Sequence, residues 1–133
     1  MATLTDAQRT FLDEPRYAVV ATINPDGTPQ QTVLWYERQG DTIMMNMGQG
    51  RIKNRNLQRD ARISFCIEDA YRYLTLRGIA ALDTDPERAQ ADIARIARRY
   101  TLADRIEQQI ASFRTEERVT IRMTVEHIDA RGI

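Results

Sequence analysis

Residues 48–53 read Gly-Gln-Gly-Arg-Ile-Lys and hold the one lysine of the chain. Of its 19 Lys and Arg residues, all but Lys53 are arginine. A glycine-rich loop that runs into a helix offers unpaired backbone N–H groups and a positive dipole end. Arg51 can grip two phosphate oxygens through its planar fork. Lys53 can add a compact point charge on a flexible stem. Loop, helix start and two cations together would make a phosphate site. Two other readings use the same residues. Arg51, Arg55, Arg59 and Arg62 recur at helical spacing and can form one solvated stripe. Lys53 falls on the opposite side of that stripe, and Arg55 and Arg59 belong to solvent. The stripe could also track a nucleic-acid backbone. A formal net charge of zero and the lack of a nucleic-acid module stand against that partner.

The rest of the chain is poor in catalytic side chains. His127 is the one histidine and Cys66 the one cysteine, so no metal-ligand cluster is expected. His127 lies near the end of a strand and reads as structural, and Cys66 as a packed thiol. Asp83 and Asp85 read as turn and helix-start residues. No Ser-His-Asp spacing and no carboxylate pair emerges, so in an enzyme a cofactor would carry the chemistry. Trp35, Tyr36, Met44, Met45 and Met47 flank the glycine loop in sequence. They are core residues or the walls of a flat apolar ring site; Met45 reads as core, and Trp35 is open to both.

These residues need a scaffold of one domain, 1–133. The composition, 42% hydrophobic and 29% charged, is that of a soluble globular protein. A lone cysteine excludes an internal disulfide and suits a reducing cytoplasm. No apolar run approaches the roughly 20 residues that cross a bilayer, and the N-terminus lacks the pattern of a signal peptide. Thr5 should cap a short helix ending near Asp13 before Pro15. Six strands are expected: 16–23, 28–38, 42–47, 61–68, 71–82 and 118–128, by apolar alternation and by turns such as Asn24-Pro25-Asp26-Gly27. Gly78 inside the fifth marks a bulge or a close backbone approach. Helices are expected over 51–59, from Pro86 to about Tyr100, and over 102–112. Six short strands with few helices predict a mainly β protein, a small closed barrel with helices outside it.

Three segments carry a resemblance: 17–36, 43–65 and 73–82. Their order resembles the pyridoxamine 5'-phosphate oxidase-like flavin-binding split-barrel family, in its branch associated with the deazaflavin coenzyme F420. The most specific piece is Arg51-x-Lys53-x-x-Asn56-Leu57, followed by Asp60-Ala61-Arg62. In that branch a proline commonly stands where this chain has Ala61. In the flavin mononucleotide (FMN) branch the two cations more often stand adjacent. The resemblance implies a six-stranded split β-barrel and a homodimer with cofactor sites at its interface. It implies that Arg51 and Lys53 hold the cofactor phosphate, with Asn56 in the same motif. Asn46, Met47 and Gly48 would lie by the ring or ribityl chain, and Gln31, Thr32, Val33 and Trp35 along the ring. The implied activity is hydride transfer between F420 and an electron-poor double bond of a small organic substrate, with solvent or Tyr36 as proton source. FMN chemistry on the same fold and a non-catalytic cofactor carrier are the alternatives. Oxidation of pyridoxamine phosphate itself is not expected, because the chain is short of the C-terminal segment that activity uses in the family.

Overall fold

The structure, a computed structural model, describes all 133 residues. The elements run α1 (Asp6–Asp13), β1 (Ala18–Ile23), β2 (Pro29–Leu34), β3 (Glu37–Gln39), β4 (Thr42–Gly48), α2 (Ile52–Arg59), β5 (Arg62–Asp69), β6 (Arg72–Asp83), α3 (Pro86–Ala97), α4 (Ile106–Phe113) and β7 (Arg118–Arg131). Thr5 caps α1 through a reciprocal capping box with Gln8. Asp85 caps α3, with Pro86 in its first turn. No helix is long and apolar enough to cross a membrane.

All seven strands form one antiparallel sheet in the order β2-β1-β5-β6-β7-β4-β3. Its two edges, β2 and β3, are consecutive in the chain. Laid flat, seven strands would hold those edges about 29 Å apart. The link from Leu34 to Glu37 spans at most about 11 Å. The sheet must therefore curl until its edges approach, which makes it a split barrel. They do not pair, so the closed barrel expected from strand count is corrected to an open, curled sheet.

The seventh strand comes from the expected segment 28–38, which breaks at Trp35-Tyr36 as the chain passes from one edge to the other. Tyr36 pins that crossing. It is fully buried, its hydroxyl donates to Leu12 O at 2.8 Å, and its ring meets Phe65 edge-on at 4.9 Å. Its alternation makes β1 a strand, yet the smaller set, Ala18, Val20 and Thr22, faces the core, and Tyr17 and Val19 face out. Inside lie Ile43, Met45, Met47, Ile63, Phe65, Ile67, Val119, Ile121, Met123 and Val125. Gly78 sits at a register shift between β6 and β7, where a Cβ would overlap the Thr124 carbonyl oxygen. α3 packs across β4 and β7, over the strand ends that build the site.

Candidate functional site

β2 pairs with β1 alone, so its other edge is free. Between that edge, the end of β4, the start of α2 and the start of β7 lies a cleft of about 560 Å³. Gln30, Thr32, Val33 and Leu34 form one wall; Asn46, Met47, Gly48, Gly50, Arg51, Ile52, Lys53 and Arg118 form the rest. An apolar extension of about 220 Å³ shares Val33, Leu34, Asn46 and Arg118 with it and adds Trp35, Ile93 and Phe113.

The polar end is built by the turn into α2. Arg51 N–H donates to Gly48 O at 3.3 Å, and Asn54 Nδ2 ties the loop down at Gln49 O, 2.6 Å away. Arg51 is the N-cap and gives no side-chain cap; Asn54 N–H donates to Arg51 O at 3.1 Å, and the N–H groups of Ile52 and Lys53 are left for another acceptor. Lys53 is only 8% exposed yet makes no hydrogen bond and no ion pair within the chain. Burial pushes its ammonium below the ordinary lysine value, and Arg51 and Arg118 add to the drop by repulsion. Its stem is buried while its Nζ is left open to the cleft, a partly desolvated cation that an anion would join favourably. The donor set therefore fits a phosphate.

Arg118 is the residue that sequence reasoning missed. It stands directly opposite Gly48 in the β4–β7 ladder. Its Nε donates to Asn46 Oδ1 at 2.6 Å, and its Nη1 donates to Glu116 Oε1 at 2.6 Å. Its guanidinium lies 4.7 Å from the Phe113 ring centroid. Asn46 is held in turn: its Nδ2 donates to Ala89 O at 3.0 Å and to Thr120 Oγ1 at 3.3 Å.

Trp35 closes the apolar end. It stacks on Tyr100 with centroids 5.1 Å apart and meets Phe113 edge-on at 6.2 Å. One face is thus covered by protein, and Trp35 serves as wall and packing residue at once.

The structure brings Arg51, Lys53, Asn46, Met47, Gly48, Thr32 and Val33 together around the cleft, with Trp35 in its extension. Two residues that the resemblance places at the site lie elsewhere. Strand alternation turns Gln31 to the outer face, and Gln30 lines the cleft instead. Asn56 is buried, and its Nδ2 donates to Thr22 Oγ1 and Asn24 Oδ1, both at 3.1 Å, so it fastens α2 to β1. Arg55 and Arg59 are exposed. Tyr36 is excluded as a proton source: burial holds its phenol well above the usual range, and its hydroxyl is held by backbone in the core.

Residues 4–132 match the pyridoxamine 5'-phosphate oxidase family. The chain belongs to that family, a group of flavin-binding split-barrel proteins. Its fold is similar to that of a solved F420 reductase: 26% identity, 95% of this chain and 98% of that one covered, TM-score 0.77. It is also similar to a conserved hypothetical protein from Mycobacterium tuberculosis: 26% identity, 96% and 84% covered, TM-score 0.80. A heme storage protein from Vibrio cholerae shares the fold alone, at 17% identity, with 99% and 97% covered and a TM-score of 0.73. No curated protein matches the sequence.

Proposed function

We propose that this protein is a coenzyme F420-dependent reductase, a cytoplasmic homodimer that passes a hydride to an electron-poor double bond of a small organic substrate. The observation that carries the reading is Lys53, buried without a partner at the mouth of a helix and beside an apolar slot. The similarity to an F420 reductase and the Arg-x-Lys spacing support the deazaflavin.

When bound, the deazaflavin supplies the hydride. The protein supplies position and dryness. Arg51, Lys53 and the free N–H groups of α2 hold the phosphate. Leu34, Trp35 and Phe113 shield the far end from water, which fixes geometry and strengthens the local field. Glu116 is the one carboxylate beside the cleft, and it is tied to Arg118, so solvent delivers the proton.

Support for the dimer comes from the outer face of β2, β1, β5 and β6. The cross-strand row Val33, Val19, Cys66 and Thr75 is small or apolar, and Val33 and Val19 are 60% and 43% exposed. Gln31 lies on the same face and would meet the second copy of this proposed dimer.

FMN is the second reading, favoured by charge. Three cations, Arg51, Lys53 and Arg118, face a single carboxylate, Glu116, and that excess suits a doubly charged phosphate monoester. Fluorescence titration of the cofactor-free protein with F420 and with FMN separates the two. Tight F420 binding with turnover of enones or quinones supports the reductase. Preference for FMN moves the protein to the other chemistry, and binding of neither overturns both readings.

A further inference from the structure

Arg118 differs from the other two cations of the cleft in being anchored along most of its length. Asn46 holds its Nε, and Phe113 lies against the guanidinium. Its side chain is 9% exposed and makes one ion pair, Nη1 with Glu116 Oε1 at 2.6 Å, while Nη2 has no partner within the protein. The head is thus fixed in place, with only its outer edge able to exchange partners.

Glu116 differs again. Its side chain is 43% exposed and lies on the short turn between α4 and β7. The carboxylate rests against Gly48, in the cleft wall: a Cβ on Gly48 would come within 2.7 Å of Glu116 Oε2. The glycine therefore leaves room for the carboxylate in this pose. An ion pair with one exposed partner contributes little stability, so swinging Glu116 out into water costs little.

We infer that Arg118 is a third anion-binding residue of the cleft and that Glu116 is its resident counter-ion, a carboxylate that an incoming phosphate displaces. The inference rests on the reading of the cleft as a phosphate site. Without ligand, Glu116 offsets part of the charge that Arg51, Lys53 and Arg118 would otherwise leave uncompensated. With a phosphate bound, the fork of Arg118 turns from a carboxylate it must share with water to an anion enclosed by the cleft. Glu116 thereby sets the affinity threshold: it competes with weak anions and yields to a phosphate that Arg51 and Lys53 also grip.

The test is calorimetric titration of the cofactor-free protein with inorganic phosphate, for the wild type, Lys53→Ala, Glu116→Gln, Arg118→Gln and the Glu116→Gln/Arg118→Gln double variant. Thermal melts check that each variant is folded, and Arg118→Lys, which keeps the charge but loses the fork, covers the case in which Arg118→Gln is not. Glu116→Gln should tighten phosphate binding about two- to fivefold, the scale of one exposed ion pair. Arg118→Gln should weaken it about tenfold or more, the scale of a charge-assisted hydrogen bond. In the double variant the gain from Glu116→Gln should vanish. If Glu116→Gln leaves phosphate binding unchanged or weaker while Lys53→Ala still weakens it, the inference fails and the phosphate site stands. An equal gain with and without Arg118 overturns the pairing on which the inference depends. If the wild type binds no phosphate, or Lys53→Ala binds it as the wild type does, the cleft reading falls and the inference with it.

Discussion

Thr120 donates its hydroxyl to Asp92 Oδ2 at 2.7 Å, and both side chains are buried where α3 crosses β7. This bond is the base of a chain that reaches the ligand cleft. Asn46 donates to Thr120, Arg118 donates to Asn46, and Arg95 Nη1 closes the far end on Asp92 Oδ1 at 3.0 Å. The orientation of the Arg118 head is thus set through Asn46 by Thr120 and Asp92, which lie behind the cleft wall.

Thr120→Val should break the chain at its centre while keeping the shape of the side chain. It leaves the Asp92 carboxylate short of a donor, so stability should fall by about 1–3 kcal/mol in urea melts. Phosphate affinity should fall with it, because Asn46 then keeps only its bond to Ala89 O and holds Arg118 less firmly. A stability loss with unchanged affinity would show that Arg118 keeps its position without the chain.

Lys53 predicts a pH effect with a definite sign. Its folded value lies below the ordinary one because of burial first and of Arg51 and Arg118 next. The unfolded chain therefore binds more protons in the window just below the ordinary lysine value, and stability rises with pH across it. Lys53→Met should remove that rise. It should also stabilise the ligand-free protein at neutral pH by up to about 1 kcal/mol, since a partly desolvated charge beside Arg51 and Arg118 is gone. Guanidinium melts from pH 7 to pH 11 read both effects. Lys53→Ala should leave the fold intact and weaken cofactor binding; unchanged affinity would rule out the phosphate role.

Tyr36→Phe distinguishes a structural phenol from a catalytic one. The hydroxyl donates to Leu12 O at 2.8 Å and lies 3.2 Å from Glu14 O. Its loss should lower stability by about 1–2 kcal/mol. Cofactor affinity and hydride transfer measured by stopped flow should be unaffected, whereas a large fall in rate at normal affinity would restore Tyr36 as an acid.

Gly78→Ala should destabilise by about 3 kcal/mol or more, because the added methyl meets the backbone of Thr124 rather than a flexible side chain. Proteolysis in the native state should then open the β6–β7 pair first. Wild-type stability in this variant would show that the bulge relaxes without cost.

Local pattern made much of the scaffold legible. Alternation located the strands, Thr5 and Pro86 marked helix starts, and Gly78 marked the bulge. Arg51 and Lys53 stood out because loop, helix start and cations are neighbours in sequence. What local pattern could not show was long-range pairing. Arg118 joins the cleft only through the β4–β7 register, across some seventy residues of chain. Asn56 was misplaced for a related reason. Its motif position resembles a binding residue, but helix geometry turns it onto β1. The break at Trp35-Tyr36 left no turn residue to mark it, because it is imposed by the curl of the sheet and held by core contacts of Tyr36.

The free edge of β2 has a consequence for how the protein behaves when it is empty. Every second residue of Pro29–Leu34 turns its backbone groups to that side with no strand beside them, and the strand borders the cleft. Such a border is a template on which a strand from another molecule can grow. A ligand seated in the cleft as proposed would cover it. Occupancy would then do more than equip the protein for chemistry: it would keep neighbouring chains from adding to the sheet, and the empty protein would be the form prone to self-association.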